Sequence, residues 1–202
     1  MQQTHRSCLR SWIAAVALAA MALGTAAQPL DLAGAKFEPQ LQVAGAALGL
    51  NGAAIRYKVV FKVYAVGLYL PAKAATLEAV VAQPGPKRIH AVMLRDVTGS
   101  ELGKNFAHHF EDNVTREEFA ASISQIFRFG ELFASRKTMK SGDSFTLDWI
   151  PGVGTVISIN GVPQGEPYPG AAFYTGMLKL WIGDRDSAGV RAALLGQVAA
   201  SR

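Results

Sequence analysis

Arg56 is the residue best placed to do chemistry in this sequence. It sits at the start of an otherwise largely apolar stretch, residues 55–70, rich in valine and tyrosine. An arginine side chain does not shed its charge in a protein, so a buried one must meet an anion or several acceptors. Residues 55–70 are too long for one strand and read as a hairpin, which puts Tyr64 in the returning strand with a hydroxyl to offer. Together, Arg56 and Tyr64 would grip a carboxylate or an enolate at the bottom of an apolar pocket. A plainer reading stays open on the residues alone: Arg56 at a sheet edge with its head in water, or paired with an internal acid such as Asp96.

His108, His109 and Asp112 form the other candidate group. On a helix His108 and Asp112 share a face and would hold a metal weakly. His109 points about 100° away from His108 and cannot join that site. A solvated helix face explains the pair better, and no metal is expected. The sequence has no G-x-S-x-G, no phosphate-binding loop and no dinucleotide fingerprint. Gly152 and Gly154 follow a strand but precede another strand, so they mark a hairpin turn. No cofactor is expected.

The elements that must position Arg56 follow from periodicity. Residues 28–36 read as a flexible lead-in. Strand patterns follow at residues 40–43, 48–51, 55–70 and 88–95. Leu102, Phe106 and Phe110 then recur every four residues, the signature of a helix opening after Thr98-Gly99. Thr115 and Glu118 fit a capping box for a second helix. There Phe119, Ile123, Ile126 and Phe127 are expected on one buried face, with Arg136, Lys137 and Lys140 near the negative pole at its end. Phe145, Leu147 and Trp149 alternate in a strand, residues 155–160 return, and Asn160-Gly161 is a strong turn signal. Phe173, Met177 and Trp181 mark a helix over residues 169–181, and a short one over 186–195 closes the chain. Strands, helices, strands, helices reads as α+β, with helices layered on an antiparallel sheet.

The ends and the charge set the compartment and the partners. Residues 1–27 carry Arg6 and Arg10, then an almost unbroken apolar run over residues 12–24, then Thr25-Ala26-Ala27 before Gln28. That pattern is a cleavable export signal; the run falls short of the roughly 20 residues needed to span a bilayer. Cys8, the only cysteine, leaves with it. Residues 28–202 then form a single domain outside the cytoplasm, periplasmic or secreted, with no membrane span after signal removal. Eighteen of the twenty basic residues and all fifteen acids fall in that part, a mild formal charge of +3. The bases are dispersed and do not interleave with aromatics in a run, so no nucleic-acid partner is expected.

Three stretches add a family resemblance. Gly52-Ala53-Ala54-Ile55-Arg56 followed by the glycine–aromatic strand over residues 61–70, and Met93 to Gly99 running into a helix, resemble the chalcone isomerase-like family. Leu180-Trp181-Ile182-Gly183-Asp184 looks like its bacterial exported branch. The implied fold is an open-faced β-sandwich: a large, mostly antiparallel sheet with a layer of helices on one face and the ligand cleft between them. In the plant enzymes of the family an arginine holds the reacting oxyanion, and Arg56 matches it. The remaining active positions do not carry over. They fall at Tyr64, at Leu102, near His109 and near Leu180, so hydroxyls needed to stabilise developing charge are replaced by leucine. A fatty-acid-binding branch uses the arginine and a tyrosine to clamp a carboxylate, and Arg56 with Tyr64 resembles that branch. The expectation is therefore a non-catalytic, exported binder of a small apolar acid such as a fatty acid. Its rivals are an intramolecular lyase or isomerase acting on a chalcone-like enone with Arg56 as electrophile, and an envelope structural or interaction protein without a small ligand.

Overall fold

Alternation of inward and outward side chains builds the sheet that carries Arg56. A computed structural model describes residues 28–185 and 188–200, and the export signal expected over residues 1–27 lies outside the described residues. The chain opens with two short paired strands, β1 (Leu30–Leu32) and β2 (Ala35–Phe37). Then come β3 (Gln40–Val43), β4 (Ala46–Lys58), β5 (Phe61–Leu70), the short helix α1 (Leu77–Ala82), β6 (Lys87–Met93) and β7 (Val97–Thr98). Two long helices, α2 (Gly99–Asn113) and α3 (Arg116–Ala134), follow. The chain continues through β8 (Thr138–Met139), β9 (Ser144–Ile150), β10 (Gly154–Ile159) and β11 (Val162–Pro163), and ends in α4 (Ala171–Ile182) and α5 (Ala188–Leu194).

Seven strands make one antiparallel sheet in the order β11-β10-β9-β6-β5-β4-β3. On one face Tyr64, Val66 and Leu68 of β5, Ile89 and Ala91 of β6, and Phe145 and Leu147 of β9 pack with the helices in a single apolar cluster. This is the α+β fold expected from the element order, and the open-faced β-sandwich that the family resemblance implies. Among the described residues no helix is long and apolar enough to cross a membrane.

The other face corrects one expectation. Residues 28–36 are not a loose lead-in: most of them fold into the β1–β2 ribbon, and Leu32 and Phe37 are fully buried with Ala53, Ile55, Ala65 and Tyr69 of the sheet. The ribbon forms because Leu30 and Leu32 alternate with Asp31, and because the Asp31 carboxylate accepts from the Gly34 N–H at 2.9 Å and closes the turn.

Helix α3 corrects a second. Thr115 and Glu118 do cap it reciprocally, as their spacing implies. The buried face, however, is Ser122, Ile126, Phe129 and Phe133, while Ile123 is 43% and Phe127 64% exposed. Ile126 lies on both faces, and the helix is turned by roughly 75° from the expected phase. Small residues explain the choice: α2 and α3 approach so closely that a Cβ on Gly103 would lie 2.5 Å from the Gly130 carbonyl oxygen. The basic residues also miss the helix pole. The last turn of α3 has no base, and Arg136, beyond its end, donates to the Gln164 side chain at 3.0 Å.

Seating of the C-terminal helix depends on Asn51, at a register slip in β4. Its buried amide donates to the carbonyls of Ala74 (2.9 Å) and Leu194 (2.7 Å) and accepts from the Ala74 N–H (2.9 Å). Beside it a Cβ on Gly52 would come within 2.0 Å of the Ala193 carbonyl, so only glycine lets α5 lie this close to β4.

On the ribbon side of the sheet His90 meets Phe37 edge-on at 5.6 Å. Its neighbour Arg88 holds Asp148 on the next strand through two 2.6 Å hydrogen bonds. Burial, and then the Arg88 charge, push the His90 imidazole down to about 4. An unfolded histidine takes its proton near 6.5, so acid favours the unfolded chain. The stability that neutral His90 permits is complete above about pH 6.5 and is lost as the pH falls towards 4. Denaturant melts should show stability declining by up to ~3 kcal/mol from this residue across that window, and His90→Gln should flatten the decline. An unchanged profile in the variant would assign the acid sensitivity elsewhere.

Candidate functional site

The β4–β5 hairpin sets Arg56 and Tyr64 directly opposite each other in register. Residues so paired put their side chains on the same face of the sheet, a few ångströms apart. That face is the one the helices cover, because Tyr64 belongs to the helix-side core together with Ala54 and Val66. Arg56 does lie along a sheet edge, since β3 pairs only with residues 46–49 of β4, but it is half-buried rather than wholly in water, on the helix side of the hairpin. Asp96, exposed at the end of the neighbouring strand, accepts from the Ser141 N–H at 2.8 Å.

Tyr64 is fixed from the helix layer. The Trp181 indole N–H, on the fully buried face of α4, donates to the Tyr64 hydroxyl oxygen at 2.9 Å. Phe145 packs edge-on against the Tyr64 ring at 6.2 Å. A hydroxyl that accepts from an indole must aim its own proton in another direction. The indole thereby sets the rotation of the phenol as well as its position.

Arg56 and Tyr64 line a cavity of about 300 Å³ between the hairpin and α2. The sequence brings its far wall together at helical spacing. Leu102 and Phe106 lie one turn apart on α2 and, with Val63, Val97 and Leu180, give the cavity apolar walls. The adjoining stripe of α2, Glu101, Asn105 and His109, is polar and also faces the cavity. Arg95 and Lys58 complete the rim. Three basic side chains, Arg56, Lys58 and Arg95, thus line the cavity with one carboxylate, Glu101. Glu101 itself is held by Lys58 at 2.8 Å, and that hydrogen bond, then the lysine charge, keep its carboxyl below the usual range. The field at the cavity is net positive and favours an anion.

Every position to which the family resemblance pointed lines this one cavity: Arg56, Tyr64, Leu102, His109 and Leu180. The other histidine does not. His108 faces outward and meets Asp112 at 3.4 Å on an exposed surface. Asn105, Glu101 and Arg95 were not singled out from the sequence. The signal for two of them was there: Glu101, Asn105 and His109 recur every four residues, one step ahead of the apolar series 102, 106, 110.

Comparison with known proteins agrees with this architecture. The family described as chalcone isomerase-like matches residues 29–196. The solved structure of a fatty-acid binding protein from Arabidopsis thaliana matches with a TM-score of 0.66 at 14% identity, covering 84% of this chain and 97% of that one. At that identity the likeness is one of fold. No curated protein sequence matches.

Trp181→Phe keeps a large ring in the core but removes the donor to Tyr64. The expected cost is about 1 kcal/mol in a denaturant melt, and the Tyr64→Phe, Trp181→Phe double variant should cost less than the sum of the two single changes. Strict additivity would mean that the two side chains do not act as a pair.

Proposed function

The chain belongs to the chalcone isomerase-like family, and on that footing we propose that it is an exported, non-catalytic binder of a small, mostly apolar acid, with a fatty acid as the best fit. The observation that carries this reading is the register pair of Arg56 and Tyr64 at the polar end of a cavity whose other walls are Leu102, Phe106, Val97 and Leu180. Arginine offers a carboxylate two parallel N–H donors, and a tyrosine hydroxyl beside it adds a third. The apolar walls would take the chain, as in most small-molecule sites. A methylene occupies about as much space as a water molecule, ~30 Å³, so the cavity suits roughly eight to ten carbons, with longer chains running out at the mouth. The fatty-acid binding protein of similar fold agrees with this choice of ligand class.

The same walls weigh against the isomerase alternative. Leucines at 102 and 180 offer no donor to a developing oxyanion, and catalysis of that type depends on such donors. Work outside the cytoplasm fits the export signal read from residues 1–27 and suits a ligand that needs no nucleotide or redox cofactor.

Purified, delipidated protein titrated with decanoate should bind it, and Arg56→Ala should weaken binding about 10- to 100-fold, the span expected when a charged hydrogen-bonding partner is removed. Equal affinity in the two proteins would remove Arg56 from the site. Turnover of a chalcone-like enone that is lost in Arg56→Ala would instead favour the isomerase.

A further inference from the structure

We propose that the tip of the β4–β5 hairpin is a docking element for an anionic lipid bilayer. The tip is the two-residue loop Val59-Val60 with its flanking residues Tyr57, Lys58, Phe61 and Lys62. Val59 is 89%, Val60 75% and Phe61 59% exposed, a contiguous apolar cap on a protein whose other large apolar side chains are mostly buried. Such a cap marks a surface that meets another apolar phase.

Two further observations name that phase. The first is charge. Lys58 and Lys62 flank the cap and are exposed, and the Arg95 guanidinium lies 5.3 Å from the Phe61 ring centre. The neighbouring carboxylate, Glu101, is already engaged by Lys58. Apolar side chains at a tip with basic residues set just behind them match acyl chains below negative headgroups. The second is size. A hairpin tip is far smaller than the ~800 Å² per partner that a stable protein interface buries, but its reach suits the 5–10 Å depth of the headgroup boundary.

The backbone carries a mark of the same demand. Val59 adopts φ +58°, a conformation that a β-branched side chain takes rarely and that hairpin loops normally assign to glycine or asparagine. A valine thus stands at a position where folding alone favours another residue, a pattern found where strain serves function.

Tyr57 and Lys58 line the cavity as well as the tip, so docking would bring the cavity mouth to the bilayer surface. That its ligand enters from the membrane rests on the binder reading above; the docking itself does not.

The test is flotation of the purified protein with vesicles made of equal parts phosphatidylglycerol and phosphatidylcholine, against phosphatidylcholine alone. The comparison is with Val59→Gly/Val60→Asn, which relieves the backbone conformation and touches no cavity residue. The protein should float with the anionic vesicles, less with the neutral ones, and release at ~1 M salt. The double variant should melt at the same or a higher temperature, bind decanoate as before, and partition about tenfold or more weakly. Failure of the unaltered protein to bind anionic vesicles, or equal binding by the variant, overturns the proposal. So does a lipid-free dimer that the same substitutions abolish, because the cap would then be an interface between copies. Arg56→Ala separates the two readings: it should lose decanoate and still float.

Discussion

One hydrogen bond ties the two layers of this protein together beneath its cavity, from the Trp181 indole to the Tyr64 hydroxyl. Each end is fixed by a different part of the chain. Tyr64 is held by the β4–β5 register, and Trp181 by the buried face of α4. If the helix layer shifted along the sheet, the indole would lose its acceptor in a place where no water can replace it, and an unmet buried donor is costly. The contact therefore constrains layer position and phenol orientation together. Arg56 inherits its place from the same register, being the cross-strand neighbour of Tyr64.

Charge placement follows from that geometry. Arg56 alone would carry a positive charge into an apolar wall, and desolvation would oppose it. The cavity stays connected to solvent through a rim of Lys58, Arg95, Glu101, Asn105 and His109, and only its inner wall is apolar. A carboxylate entering such a site meets donors at one end and methylene-compatible surface at the other. Tyr57 and Lys58 both line the cavity and flank the hairpin tip, so the proposed ligand site and the proposed docking element share one short segment, residues 56–62.

Much of this was legible in the sequence, for physical reasons that differ by residue. The hairpin was readable because an apolar run of that length cannot remain one strand, and the Arg56–Tyr64 pairing follows once it turns. The Thr115 cap was readable because capping is local. The phase of α3 was not: counting large apolar residues selects Ile123 and Phe127, whereas the packed face includes Ser122 and places Gly130 against Gly103. Close helix contact rewards small residues, which hydrophobicity does not register. The β1–β2 ribbon was missed because an alternation three residues long does not stand out from a loop, and its stability comes from covering Ala53, Ile55 and Tyr69 in the sheet. Arg95 entered the site unannounced because only the tertiary fold brings it beside the hairpin.

The central claim is that a carboxylate sits ionised against Arg56. Carbon-13 NMR of carboxyl-labelled decanoate on the protein observes that group directly. Clamped by the arginine and the tyrosine hydroxyl, the bound carboxyl should keep its ionised resonance well below the range near 4–5 in which free carboxylic acids titrate, and that protection should vanish in Arg56→Ala. A bound carboxyl that titrates at or above the free acid, or one indifferent to Arg56→Ala, would contradict the claim.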